Sequence, residues 1–378
     1  MKVLIAVTHL LGTGHLSRAL TLARAFLAKG HMAQVVSGGF PAPQLNTDGI
    51  ELLQLPPLRS DGVDFTRLLA EDGTLADRSY LASRQTALCA ALQHLQPDVL
   101  ITELFPFGRR SLRKEFLDLL EAAHALSQRP VILSSIRDIL APPSKPEKAG
   151  KADAVITKFY DAVLVHSDPA ATRLEASWPV SKALAGKLRY TGYVAPPAAG
   201  PHPRLAGAGE VLVSAGGGSV GTPLYRAALE AARLMPDVPW RLLVGGADAS
   251  ARITDLSKLG SPARLEPARK DFRQMLSHAA ASVSMCGYNT ALDLLQAGTP
   301  AVLVPFDAGN ETEQGLRAAS LAPLNGVRVI ETAHLTPETL CTAVKAVLQA
   351  PPRLAGGFRF DGAARSVDIA AELAGGRG

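Results

Sequence analysis

The 378-residue chain has only three cysteines, Cys89, Cys286 and Cys341, and they lie too far apart to suggest a disulfide framework or a zinc site. Their scarcity makes a reducing cytoplasm the simplest setting. No apolar run reaches the ~18 to 20 residues that span a bilayer, so any membrane contact is expected to be peripheral, at the inner face. The apolar run at the N-terminus is broken by Thr8-His9 and no small-residue cleavage site follows, which reads as a first strand rather than a signal peptide. Charged residues are sparse at 19% against 47% hydrophobic, a balance that excludes a disordered or fibrous chain and fits a packed α/β protein. Lysine is missing after the glycine-rich stretch that ends at Gly221, which argues against a Walker-type ATPase loop. The net charge of +5 favours anionic partners such as phosphates, nucleotides or acidic lipid surfaces without choosing among them, and no nucleic-acid partner is expected.

What is present is a repeated strand, loop and helix. The length exceeds what one core usually fills, so two domains are expected. Lys2–Val7 is a continuous apolar run suited to a strand buried on both faces of a parallel sheet. From His15, apolar residues recur at helical spacing (Leu16, Ala19, Leu20, Ala23, Phe26, Leu27) until Gly30, which can end a helix in a left-handed conformation. Further alternation through 33–37, 98–102, 111–126, 131–134 and 162–165 predicts a Rossmann-like N-terminal domain over residues 1–194. The Pro- and Gly-rich stretch 195–209 reads as a linker. Alternation then restarts with strand 211–214, helix 222–235, strands 241–244 and 282–285, helix 289–296 and strand 301–305, giving a second Rossmann-like domain over 210–358. A terminal helix within 359–378 can cross back to the first domain. Two such domains place a ligand cleft outside the carboxyl ends of both sheets.

Four loops after strands carry candidate chemistry. Gly216, Gly217, Gly218 and Ser219 lie between a strand and a helix, where backbone N–H groups and the positive helix end can cradle a diphosphate; the alternative is a tight turn with no ligand. Gly287, Asn289 and Thr290 repeat the arrangement at the next strand end, and the helix that follows carries Asp293. Thr290-x-x-Asp293 also matches a capping box, so spacing alone leaves the role of Asp293 open. Asn310, Glu311, Glu313 and Gln314 supply carboxylates and amides suited to sugar hydroxyls, against the alternative that Asn310 or Thr312 caps a helix. Gly14-His15 stands at the start of the first helix, where the protonated imidazole is disfavoured and the neutral ring can act as a base; the alternative is a solvent-facing ring. Phe105 and Phe107 beside Arg109, Arg110, Arg113 and Lys114 suggest an apolar and basic face, against the alternative of a turn followed by a solvated basic helix.

Taken together, Gly12–Ala23 (GTGHLSRALTLA), Leu104–Arg110, Ser214–Gly221, Ser282–Pro300 and Val304–Ala318 resemble bacterial glycosyltransferases of the GT-B fold, family 28-like and related to the lipid II-forming N-acetylglucosaminyltransferase. The resemblance implies an α/β GT-B architecture and transfer of a sugar from a nucleotide donor, UDP-linked by kinship, to an acceptor hydroxyl that is anionic or lipid-linked. It implies that Gly216–Ser219 and Gly287–Thr290 hold the diphosphate, that Asp293 accepts from the ribose, and that Glu313 and Gln314 lie by the donor sugar, where the same loop also offers Asn310 and Glu311. In the lipid II enzyme the position of Asp293 is a glutamate. His15 would be the base toward the acceptor; Gly14 beside it, and Arg109 and Arg110 by their charge, are expected on the acceptor side. The chain contains no D-x-D motif and no glutamate pair of the retaining type, so the resemblance points to metal-independent inversion by direct in-line attack, with no cofactor. Nucleotide-sugar hydrolases and UDP-N-acetylglucosamine 2-epimerases share this architecture. The hydrolases also have the Gly-His-x-x-Arg start matched by Gly14, His15 and Arg18. A third alternative is a nucleotide-sugar binding protein without turnover.

Overall fold

The computed structural model describes residues 1–10, 13–43, 45–60, 67–216, 220–246, 248–307, 312–351 and 357–376. They form two compact units, Met1–Pro169 with Arg173–Ala195 and Asp361–Gly378, and Ala170–Thr172 with Pro196–Phe360. The first unit opens with β1 (Lys2–Val7), α1 (Gly14–Ala28), β2 (Met32–Gly39), β3 (Glu51–Ser60) and β4 (Leu68–Leu69). It continues through α2 (Arg78–Leu95), β5 (Val99–Glu103), α3 (Arg113–His124), β6 (Val131–Arg137), α4 (Pro146–Phe159), β7 (Ala162–His166), α5 (Lys182–Lys187) and β8 (Leu188–Tyr190). The second unit holds β9 (Val211–Ser214), α6 (Thr222–Leu234), β10 (Trp240–Val244), α7 (Ala249–Ser257), β11 (Arg264–Pro267) and α8 (Phe272–Leu276). After them come β12 (Ala281–Ser284), α9 (Tyr288–Ala297), β13 (Ala301–Leu303), α10 (Glu313–Leu321), β14 (Val327–Val329) and α11 (Pro337–Leu348), and α12 (Gly362–Gly375) returns to the first unit.

The first unit is an eight-stranded sheet in the order β4-β3-β2-β1-β5-β6-β7-β8, parallel except for the short β4. Its central strands are apolar on both faces because helices cover both. On one face Val3, Ile5, Val7, Ile101, Leu133 and Leu164 pack beneath α1 and α12. On the other, Leu4, Leu100, Ile132 and Val163 pack with residues of α2, α3 and α4. Helix α1 starts at Gly14 and is stopped by Gly30, whose φ of 75° a side chain would strain. The return of α12 is pinned where Gly362 donates to the Tyr193 carbonyl at 3.1 Å; a Cβ at Gly362 would come within 2.3 Å of the Gly192 carbonyl.

The second unit is a six-stranded parallel sheet in the order β11-β10-β9-β12-β13-β14, each strand feeding a crossover helix. The stretch 195–209 differs from the free linker expected from its composition. Proline carbonyls have no partner within such a stretch, and here side chains of the second unit supply one. Gln296 Nε2 donates to the Pro196 carbonyl at 2.9 Å and Arg273 Nη2 to the Pro197 carbonyl at 2.8 Å, while Gly209 N donates to the His278 carbonyl at 3.1 Å.

Candidate functional site

Parallel strands end together, so the residues that close β1, β5, β6 and β7 form one rim. Glu103 lies opposite Ser135 in the β5–β6 register. Two steps before them on the same face are Ile101 and Leu133, buried beneath α1, and Leu164 on β7 is likewise two steps before His166. The apolar layer of that face therefore gives way first to Glu103 and Ser135, level with each other, and one pleat further on to Arg137 and His166. Helix α1 begins beside this rim, and His15 and Arg18, three residues apart on it, both reach Glu103.

His15 Nδ1 lies 2.8 Å from Glu103 Oε1, with the His15 side chain 15% exposed and the carboxylate 1%. Arg18 closes the group: its Nη2 pairs with Glu103 Oε1 and its Nε lies 3.4 Å from Oε2. Burial alone would raise the Glu103 carboxyl, but the Arg18 guanidinium and the His15 hydrogen bond override it and hold the group well below the usual carboxylate range. Burial drives His15 down to about 3 against the pull of Glu103, with Arg109 and Arg18 adding to the fall, so the ring is neutral at ordinary pH. Arg18 Nη2 also lies 3.2 Å from His15 Nδ1, yet the nearer carboxylate decides the tautomer. A bare nitrogen 2.8 Å from an ionised oxygen would set lone pair against lone pair, so Nδ1 carries the proton and Nε2 is left as a base. The ring of His15 is thus neither solvent-facing nor free.

Gly14 is exposed and is the first residue of α1. Of the two readings of the stretch from Phe105 to Lys114, the turn leading into a basic helix is the one realised, and the two phenylalanines form no exposed apolar face. Phe105 stacks on Phe116 with ring centroids 4.8 Å apart and Phe107 meets Trp178 edge-on at 5.2 Å, both buried, because the chain after β5 turns into the core. Arg109 is half-buried with φ 57°, and its Nε has no hydrogen-bond partner among the described residues. Burial lowers it to about 10 although Glu103 pulls it up, and its charge reaches both His9 and His15. Arg110 is exposed. On the opposite face of this unit a cavity of about 430 Å³ between α2 and α3 is lined by Arg78, Leu81, Gln85, Leu112 and Lys114 among others.

In the second unit, Gly217, Gly218, Ser219, Asn310 and Glu311 lie outside the described residues. Gly216 adopts φ 77° after β9, and Gly221 opens α6 where a Cβ would meet Ala215 at 2.2 Å and the Tyr225 ring at 2.8 Å. Helix α9 starts after Gly287 with no side-chain cap, so Asn289 and Thr290 sit in its first turn with backbone N–H groups unpaired by a capping side chain. The capping-box reading of Thr290 and Asp293 is therefore not realised. Asp293 instead accepts from Arg273 Nε at 2.8 Å, and burial pushes its carboxyl up against the pull of that guanidinium. Thr312 likewise makes no side-chain cap on α10. Gln314 accepts the Phe306 N–H through Oε1 at 3.1 Å, while Glu313 opens the helix. Among the described residues no cluster suited to a metal ion and no helix long and apolar enough to cross a membrane is present.

Glu103, Ser135, His166 and Arg273 were not among the residues picked out in the sequence. For Glu103 the signal was a charged residue closing a strand whose apolar run is Val99–Ile101. Nothing in the sequence pairs it with His15 across 88 positions.

Two α/β units with parallel sheets define the GT-B fold of glycosyltransferases, and solved structures of that class match almost end to end. MurG of Acinetobacter baumannii is 17% identical, covering 98% of this chain and all of that one at a TM-score of 0.64. The glycosyltransferase VinC in complex with dTDP is 16% identical, covering 100% of both at 0.63. More particularly, residues 212–366 match the glycosyltransferase family 28 C-terminal domain, so the second unit carries a domain of that family. The UDP-N-acetylglucosamine–N-acetylmuramyl-(pentapeptide) pyrophosphoryl-undecaprenol N-acetylglucosamine transferase of Brucella anthropi is 33% identical over 144 residues, 36% of this chain and 38% of that enzyme. Its counterpart in Agrobacterium fabrum is 30% identical over 166 residues, 42% and 44% respectively. The chain aligns with less than half the length of these relatives.

Proposed function

We propose that this chain is an inverting glycosyltransferase that moves a sugar from a nucleotide donor, UDP-linked, to an acceptor hydroxyl, with His15 as the base. The observation that carries the reading is the buried His15–Glu103 pair, 2.8 Å apart, which leaves one imidazole nitrogen unprotonated. In the proposed step His15 Nε2 takes the acceptor proton as the oxygen attacks the anomeric carbon, the bond to the diphosphate breaks, and the nucleotide leaves with the electron pair. Glu103 stabilises the imidazolium that forms, and the product carries the opposite anomeric configuration.

The donor is assigned to the second unit. The Gly216–Ser219 and Gly287–Thr290 loops would hold the diphosphate at the positive ends of α6 and α9, Asp293 would accept from the ribose, and Asn310, Glu311, Glu313 and Gln314 would take the sugar. UDP is favoured because the curated relatives bear it in their names. Gly14, Arg109 and Arg110 are assigned to the acceptor, with the half-buried Arg109 suited to an anionic group. A lipid-linked acceptor is favoured by the pyrophosphoryl-undecaprenol in those names, a peripheral membrane position would suit such an acceptor, and the partly apolar cavity between α2 and α3, lined by Arg78, Lys114 and Glu115, is compatible with both.

A panel of UDP-, TDP- and GDP-sugars assayed for nucleotide release, with and without hydroxyl acceptors, tests the reading. Release of UDP that requires an acceptor is expected. Equal release without one would make the chain a hydrolase, and an isomerised donor would make it an epimerase.

A further inference from the structure

Glu103 can only accept hydrogen bonds when ionised, and this constrains every proton around it. Its Oε2 receives the Ser135 hydroxyl at 2.5 Å. Ser135 has one proton, so its second contact, 3.0 Å to His166 Nε2, is donated by His166. The other ring nitrogen of His166 lies 2.9 Å from Thr191 Oγ1. Thr191 follows Tyr190, which pairs with Val165, so it stands level with His166 across the β7–β8 edge. The line from Thr191 through His166 and Ser135 to Glu103 thus crosses from the end of β8 through β7 and β6 to β5, stepping back two residues in register between His166 and Ser135, and ends on His15. Its four inner members are buried: Glu103 is 1% exposed, and Ser135, His166 and Thr191 are 0%.

We propose that Ser135 and His166 are positioning residues that hold Glu103 Oε2, thereby directing Oε1 to His15 Nδ1 and keeping His15 Nε2 bare. The inference deepens the assignment of His15 as base and rests on it. The charged groups acting on this line are Glu103 itself, Arg18 from α1 and Arg109 from the loop after β5, and Arg137 lies opposite His166 on β6. Without Ser135, Oε2 keeps only the longer Arg18 Nε contact at 3.4 Å, and the carboxylate is free to turn toward the guanidinium and away from His15. Neither Ser135 nor His166 needs to touch substrate for this effect.

The test uses the full chain labelled with ¹⁵N-histidine, the His15 signals among the nine histidines being assigned by their loss in His15→Gln. At neutral pH the wild type should show a protonated Nδ1 and a bare Nε2. Ser135→Ala should populate the opposite tautomer and lower kcat roughly 10-fold with the donor KM unchanged, the size expected for one lost bond to a charged group. His166→Gln, which keeps a donor, should retain more of the wild-type tautomer and rate than His166→Phe; thermal unfolding of each variant identifies any that fail to fold. A wild-type tautomer in Ser135→Ala with kcat within twofold would overturn the inference and leave His15 as the base. A protonated Nε2 in the wild type would overturn both. Absence of sugar transfer from every donor would overturn the function alone, since the tautomer is measured without turnover.

Discussion

The two units are built on the same alternation of strand and helix but present different kinds of site. In the first, a histidine, a carboxylate and a guanidinium are buried together and fix one another's protonation. In the second, the corresponding strand ends carry glycine turns and bare helix N-termini, with few side chains committed. An ionisable group that must change its charge during a reaction benefits from a dry, prearranged setting, whereas a diphosphate can be met by backbone N–H groups that any sequence supplies if the turn is tight enough. On the proposed reading the first unit supplies the reacting centre and the second the binding surface.

The largest effect should come from breaking the reacting centre. His15→Ala is expected to lower turnover by about 10²- to 10⁴-fold while donor affinity, measured by calorimetry, survives. Glu103→Gln comes next: loss of the charge that orients His15 should cost on the order of 10² in kcat. It should also cost about 3 kcal/mol of stability, because Arg18 is left buried without its partner.

Acid should separate the two units. His15 and His166 sit at about 3 in the folded chain against an ordinary 6.5, so on acidification the unfolded state takes up their protons first. Stability of the first unit should fall as pH drops from 6.5 toward 3, by up to about 1.4 kcal/mol per pH unit for each histidine, and Glu103 adds a loss of the same sign once pH falls below 4.5. The two tryptophans report separately, Trp178 buried in the first unit and Trp240 in the second. Fluorescence of Trp240→Phe should show unfolding at higher pH than that of Trp178→Phe; the reverse order would break the comparison. The smallest effect is expected at the binding surface. Asp293→Asn should weaken UDP binding roughly 10-fold with kcat at saturating donor little changed, and a fall in kcat at constant affinity would place Asp293 in the reacting centre instead.

The candidate loops of the second unit were the easier to pick out in sequence because the chemistry proposed for them is local. Val211–Ser214 and the glycines after it announce a strand and a turn within a dozen residues, and Gly221 is required by contacts with Ala215 and Tyr225 only a few positions away. The candidate site of the first unit was hidden because His15 pairs with Glu103 of β5, which in turn is held by Ser135 of β6 and through it linked to His166 of β7, all distant in sequence. Strand β3 was hidden for another reason. Pro56 and Pro57 argue against a strand, but they fall where the β2–β3 register shifts between Gln54 and Leu58, so no ladder bond is missing there. Gln54 Nε2 fills the gap, its two hydrogens shared among the Ser37, Gly39 and Leu55 carbonyls, all within 3.0 Å. Helix α2 escaped notice because its buried stripe includes Arg84, whose charge is met by Glu115 of α3 at 3.0 Å. Such pairings become visible only when the distant partner is in place.

A double-mutant cycle on turnover tests the reacting pair most directly. If His15 is the base and Glu103 acts through it, the His15→Ala, Glu103→Gln double variant should be no slower than His15→Ala alone. Losses that multiply would mean that the two residues act independently, and the His15–Glu103 pair would not be the reacting centre.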